Sequence, residues 1–386
     1  MSAAPRVAGD AGRPANLAMN WRARLEAWLT AGWQRRGIVY WAFLDISLLW
    51  RWIADRRRRR AGDGVRVGVP VVIVGNVVAG GTGKTPTVIA LVEALRERGW
   101  TPGVVSRGHG RAADRAALSA APTDTARAGS TDAIRAHARA ATLPVTPDAP
   151  ADLVGDEPAL IVARTGVPMT VGADRVAAAR ALLADHPDID VIVSDDGLQH
   201  YALARDVELV LFDARGAGNR ACLPAGPLRE SADRPRDATL FVGCPVDPAL
   251  AAGAPAFSLD IRPGAVWQLA ASERRRPLAD WAGRRVQAAA GIGAPEKFFA
   301  MLRAAGLDVR ALPLPDHARF DAASFAGRSP DDLLITEKDA IKCRAVPALA
   351  SDARLWVVPI DAVLPAALLD LVTAALTEKA HGPQAA

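Results

Sequence analysis

The hydrophobic pattern divides the chain into an apolar N-terminal arm and a long alternation of strands and helices. Val71 to Val74 is an uninterrupted β-branched run, which suits a strand buried on both faces. Val88, Leu91, Val92 and Leu95 follow at helical spacing, and Pro86 is tolerated in that helix's first turn. Gly99 reads as its C-cap, and Thr101 to Ser106 as a second strand. Further strands are expected over Val167 to Val171, Ile189 to Ser194 and Val207 to Phe212, with a helix over Asp174 to Leu183. This alternation predicts an α/β fold: a parallel sheet flanked by helices, with its site at the C-terminal ends of the strands.

From about Thr239 the pattern restarts. Phe257 to Ile261 and Ala265 to Leu269 flank Pro263-Gly264 in the manner of a hairpin turn. Strands are expected over Val286 to Ala290, Val309 to Leu314, Leu333 to Thr336 and Leu355 to Ile360. Helices are expected near Glu296 to Ala305 and Leu364 to Leu376. The predicted division is an arm over 1–60, a main α/β domain over 61–238 and a smaller α/β domain over 239–386. Within the main domain, residues 111 to about 150 are rich in Ala, Thr, Asp and Arg and read as a surface insertion without chemistry.

The arm has its own character. Residues 1 to about 18 are Ala/Gly/Pro-rich, which predicts disorder, and they lack a signal-peptide pattern. Six of the ten tryptophans fall between Trp21 and Trp52. Ile38 to Ile53 is the most hydrophobic stretch, yet it is shorter than the ~20 residues of a spanning helix and carries Asp45 and Arg51. Arg56 to Arg60 follow directly. A helix lying in a membrane interface fits this pattern. The plainer reading is an amphipathic helix packed on its own protein, with the arginines merely solvated. Tryptophan density and flanking charge favour the membrane reading.

Composition adds limits. The formal net charge of +5 favours anionic partners, whether nucleotide, nucleic acid or membrane surface. Cys222, Cys244 and Cys343 are scattered without metal spacing, which argues for a reducing compartment and for cysteines acting as small hydrophobes.

The chemistry concentrates after the first strand. The chain turns through Gly75, Asn76 and Gly80-Gly81 and ends Gly83-Lys84-Thr85 before the helix. Strand, glycine turn, Lys-Thr, helix is the architecture of a phosphate-binding loop, in which backbone N–H groups face an anion. Lys84 would reach the β- and γ-phosphates, and the Thr85 hydroxyl would hold Mg²⁺. The strict pattern has a glycine where Val78 stands. Asp195, ending a strand, is the candidate metal-holding acid, with Asp196 facing water or substrate. Asp156, Glu157, His200 and His317 are candidates to accept a hydroxyl proton, and Arg215 and Arg229 to clamp phosphate. Gly291-Ile292-Gly293 lacks the dinucleotide fingerprint and reads as a turn. In Thr336-Glu337-Lys338-Asp339 the lysine stands one place too late for guanine recognition, which weakens a GTPase reading. The GGTGKT loop beside an amphipathic arm also admits a membrane-recruited regulatory ATPase.

Together these pieces resemble one family, the tetraacyldisaccharide 4′-kinases (lipid A 4′-kinases) of Gram-negative bacteria. The runs that carry the resemblance are VGNVVAGGTGKTP, VVSRGHG, VGDEP, VGADRVAAA, SDDGLQHYALARDVEL, LPAGPLRE, PDHARF and TEKDAIK. They stand in the family's order over residues 70 to 342, outside the insertion. Departures are Val78-Ala79, His109 and the run GAGNRACLPAG, which bears on local loop shape. The resemblance implies a P-loop kinase fold and transfer of the ATP γ-phosphate, with Mg²⁺, to the 4′-hydroxyl of a tetraacylated glucosamine disaccharide 1-phosphate. It implies Asp156 as general base with His317 as partner, and Lys84 and Arg229 as stabilisers of phosphoryl charge. Val78, Ala79, Gly80, Gly81, Thr82, Gly83, Lys84 and Thr85 would bind the nucleotide. Thr85 and Asp195 would hold the metal, supported by Glu157, Asp196 and Glu230. The implied partners are the acylated lipid and an anionic membrane surface, not nucleic acid. The implied location is the cytoplasmic face of the inner membrane, peripheral or monotopic.

Overall fold

The computed structural model describes residue 28 and residues 30–108, 142–316, 318–325 and 332–381. Helix α1 (Ile38–Arg60) leads into β1 (Val71–Asn76), α2 (Lys84–Glu97), β2 (Pro102–Ser106) and β3 (Leu143–Pro144). Next come α3 (Ala151–Val154), α4 (Asp156–Thr165), β4 (Met169–Val171), α5 (Arg175–Asp185), β5 (Val191–Asp195), β6 (Val207–Phe212), β7 (Ala238–Val242) and β8 (Ala256–Pro263). The chain continues through β9 (Val266–Gln268), β10 (Ala271–Arg276), β11 (Arg285–Ala290), α6 (Pro295–Ala304), β12 (Asp308–Pro313), β13 (Leu333–Thr336) and α7 (Glu337–Arg344). It closes with α8 (Pro347–Ala350), β14 (Leu355–Val358), β15 (Ile360–Val363) and α9 (Ala366–His381).

Two sheets organise these elements. The larger has nine strands in the order β15-β8-β7-β6-β1-β5-β2-β4-β3. Its interior pairs are parallel, and only the edge strands β15 and β3 run antiparallel to their neighbours. The smaller has six strands, β10-β9-β14-β13-β11-β12, parallel from β14 to β12. β1 is buried at all six positions because it has cover on both faces. Val72 and Val74 pack with α2 and α9, and Val71 and Ile73 with Val176, Leu182 and Leu198 on the opposite side. An unbroken β-branched run is what such a central strand requires.

Two expectations change. Pro263-Gly264 is not a hairpin: β8 pairs in the large sheet and β9 in the small one, so this dipeptide is a crossing between sheets. The expected single strand over Leu355 to Ile360 is two strands separated at Pro359, with β14 in the small sheet and β15 returning to the large one. Leu368, Val372 and Leu376 of α9 then bury themselves against the large sheet. We therefore propose drawing the smaller unit around residues 266–358 rather than 239–386. Sequence periodicity marks strands but not the sheet they join. Most of the expected insertion and the expected disordered start lie outside the described residues.

Among the described residues of the arm, a 23-residue helix runs from Ile38 to Arg60. Arginines in its last turn complement the helix dipole. Among the described residues no helix is long and apolar enough to cross a membrane. The arm docks on the segment 217–229 by specific contacts. Trp33 Nε1 donates to Pro224 O at 3.0 Å, Ala225 N to Ser47 Oγ at 2.9 Å and Trp50 Nε1 to Arg229 O at 3.0 Å. Trp41, Ile46, Leu48, Leu49, Trp50 and Trp52 remain exposed.

Candidate active site

The site sits where β1, β2, β5 and β6 end together. Gly83 caps α2 in the left-handed region at φ 83°, and a Cβ there would lie 2.6 Å from Val242 Cγ1. Glycine is the residue that meets both demands. Lys84 is the first residue of α2, and its Nζ donates to Asn76 Oδ1 at 3.3 Å and lies 3.5 Å from Asp196 Oδ1. Asn76, the last residue of β1, also ties the loop to itself through Val78 O at 2.8 Å and Gly80 O at 3.1 Å.

The missing glycine at Val78 has a structural explanation. Residues 77–79 run extended beside 227–229: Ala79 N donates to Pro227 O at 2.8 Å, Arg229 N to Val77 O at 2.7 Å, and Val78 bridges Leu228 antiparallel. A β-branched residue suits that pairing, and Val78 is buried. The bridge carries Arg229 to the loop, where its Nη1 reaches Asp196 Oδ2 at 3.5 Å. Arg215 braces the loop from the other side, donating to Gly81 O at 2.7 Å.

Asp196 thus lies between Lys84 and Arg229. Its φ is 49°, a strained setting for a residue with a side chain. Gly197 follows because a Cβ there would meet Ser194 Oγ at 2.2 Å. Asp195 ends β5 and is buried; Ser106 Oγ donates to its Oδ2 at 3.0 Å. Its Oδ1 is buried without a hydrogen-bond partner among the described residues. Burial first, then the Asp196 charge, push the Asp195 carboxyl up to about 6; Lys84 and the Ser106 hydrogen bond pull the other way. Glu157 also raises it, which places the Gly155-Asp156-Glu157-Pro158 run within electrostatic reach of Asp195.

Asp156 opens α4 after Gly155 and is buried. Two lysines of α7, in the smaller unit, reach this run: Lys342 Nζ lies 3.0 Å from Asp156 Oδ2, and Lys338 Nζ donates to Glu157 Oε1 at 2.8 Å. Lys338 is also 3.6 Å from Asp316 Oδ1. His317 lies outside the described residues. Glu230 is buried and pairs with Arg234 at 3.3 Å. His200 accepts the Arg175 backbone N–H at 3.3 Å, a structural role at the start of α5.

Sequence reasoning missed Asn76, Ser106, Lys338 and Lys342. The two lysines had a signal: they stand four apart in TEKDAIK, hence on one helix face. The turn reading of Gly291 to Gly293 fits the structure, where Gly291 N donates to Asp339 Oδ2 at 2.9 Å. Among the described residues no cluster of three or more His, Cys, Asp or Glu could hold a metal unaided.

Asp213, just after β6, offers a pH test of this end of the sheet. Burial raises its pKa, but hydrogen bonds from Arg215 and Lys297 outweigh it and hold the carboxyl below its ordinary value. A depressed folded-state pKa contributes stability above the unfolded-state pKa and loses it as pH falls through the folded value. Asp213→Asn is expected to lower Tm at neutral pH. Its gap to the parent should close as pH falls below ~4, the ordinary carboxylate range. A gap independent of pH in thermal melts would contradict this.

The comparisons agree in direction. A family profile described as tetraacyldisaccharide-1-P 4′-kinase matches residues 39–377. The tetraacyldisaccharide 4′-kinase of Herminiimonas arsenicoxydans is 45% identical over 362 residues, covering 89% of this chain and 93% of the relative. That of Methylibium petroleiphilum is 46% identical over 383 residues, covering 94% and 97%. A crystal structure of the Aquifex aeolicus protein LpxK, described as an "apo" form in complex with ATP, superposes with a TM-score of 0.66 at 23% identity. That match covers 88% of this chain and all of the other, and it shows a shared fold.

Proposed function

This chain belongs to the tetraacyldisaccharide-1-P 4′-kinase family, and from that premise we propose how its residues divide the work. It is a lipid A 4′-kinase, phosphorylating the 4′-hydroxyl of a tetraacylated glucosamine disaccharide 1-phosphate. ATP is the donor in this reading, supported by the glycine loop before α2 and by the ATP complex of the Aquifex relative. The observation that carries the assignment is the convergence of Lys84 and Arg229 on Asp196, beside Asp195. Residues 78–85 would cradle the phosphates, with Lys84 and Arg229 meeting charge that develops on the transferring group.

Mg²⁺, when bound, would shield phosphate charge. Thr85 and Asp195 are the residues that would hold it, and the unpartnered buried Oδ1 of Asp195 fits a hard-cation ligand. Asp156 would take the proton of the acceptor hydroxyl, with His317 as its partner. Glu157 and Glu230 would support the site. Turnover of ATP with and without the acylated disaccharide tests the reading: ADP formation should depend on the lipid. Equal hydrolysis in its absence would favour a regulatory ATPase.

The arm would lie on an anionic membrane surface, docked rather than spanning, at the cytoplasmic face of the inner membrane where ATP is available. Its exposed tryptophans and its terminal arginines support this. Deleting residues 1–60 is expected to move the protein from the pellet to the supernatant in vesicle sedimentation. Equal sedimentation of the full-length and truncated chains would remove the membrane role.

A further inference from the structure

We propose that Lys342, seconded by Lys338, is a positioning residue for phosphoryl transfer: it reaches from the smaller unit to fix the Asp156 carboxylate in its ionised form. The proposal rests on Asp156 being the proton acceptor. It goes beyond that reading by naming what makes a buried aspartate competent.

A buried carboxylate left alone is driven toward its neutral acid, which cannot accept a proton. Asp156 is 7% exposed. Its place in the first turn of α4 favours the charged form, and a cation 3.0 Å from Oδ2 favours it much more. Both lysines project from one face of α7, so Lys338 takes Glu157 while Lys342 takes Asp156, two rungs across the boundary. Their side chains are only 15% and 12% exposed, so these are not solvated surface pairs.

The carboxylates here outnumber the ammonium groups, so each lysine serves more than one of them. Two ammonium groups face Asp156 and Glu157 from α4 and Asp316 from the segment after β12, with Asp339 of α7 also within electrostatic reach of both lysines. Burial lowers the pKa of Lys338, but Glu157, Asp316 and Asp156 outweigh it and hold the ammonium above its ordinary value. The Lys338 ammonium is thereby held in its charged form beside Glu157. The helix itself is anchored at Thr336, whose hydroxyl accepts from Asp339 N at 3.1 Å, and at Glu337, which takes Arg164 of α4 at 2.8 Å. Lys342 thus meets Asp156 from a backbone already fixed to the other unit.

The test uses the full chain with Lys342→Gln and Lys342→Arg. Glutamine stays polar but removes the charge; arginine keeps the charge. With ATP, Mg²⁺ and tetraacyl disaccharide 1-phosphate, the acidic limb of kcat against pH should move upward by about one unit or more in Lys342→Gln. It should stay in place in Lys342→Arg, and KM for ATP should be unchanged in both. In an Asp156→Asn background, Lys342→Gln should change kcat less than about twofold, because residues acting as a unit are non-additive. A uniform loss at every pH with the limb unmoved would overturn the proposal, as would an undiminished effect in the Asp156→Asn background. Full activity of Asp156→Asn alone would instead remove the reading on which it rests.

Discussion

Lys84→Ala is expected to keep its fold and lower kcat by about 10²–10³-fold, the usual cost of removing one preorganised group that meets developing charge. The side chain starts α2 and contributes little to either core; its Nζ faces Asn76 Oδ1 at 3.3 Å and Asp196 Oδ1 at 3.5 Å. Asn76 still holds the loop through Val78 and Gly80, so the cradle persists without the ammonium. Asp196 keeps Arg229 as its partner. The loss should therefore fall on the transferring phosphoryl group, which has lost its charge partner, rather than on stability. Circular dichroism and thermal melts should resemble the parent while turnover collapses. Near-normal turnover would sink the phosphate-loop assignment.

Asp156→Asn is expected to lower kcat by about 10²–10⁴-fold, the range for loss of a positioned general base, with little change in KM for ATP. A sugar hydroxyl is a poor nucleophile at neutral pH, so a group that takes its proton matters most in the chemical step. Asp156 stands on the unit that carries Lys84, and its neighbour Glu157 is within electrostatic reach of Asp195. Asp316, next to His317 in the chain, lies 3.6 Å from the Lys338 ammonium that also holds Glu157. His317→Ala is expected to lower kcat in the same way, and the double variant to be barely worse than the worse single one. Cleanly multiplicative losses would show that the two act separately.

Much of this was legible in the chain because the relevant signals are local. The apolar run at Val71, the glycine turn and Lys84-Thr85 specify strand, loop and helix within one window, and β1 and α2 fall there. Asp195 was readable as a strand-ending acid for the same reason. Sheet membership was not legible. Whether Leu355 and Ile360 share a strand depends on two sheets formed by distant segments, and Pro359 separates them only in that context. The partners of Asp156 were hidden likewise: Lys342 is far along the sequence, and its spacing from Lys338 marked a helix face without saying what that face meets. Val78 looked like a departure from a loop pattern because the segment it pairs with, 227–229, lies elsewhere in the chain.

The most direct measurement is the product of one reaction. The purified full chain would be incubated with ATP, Mg²⁺ and tetraacyl disaccharide 1-phosphate, and the lipid analysed by mass spectrometry and phosphorus NMR. The account predicts one added phosphate, at the 4′ position, formed in step with ADP and sharply slowed with Lys84→Ala. Consumption of ATP while the lipid stays a monophosphate would contradict it.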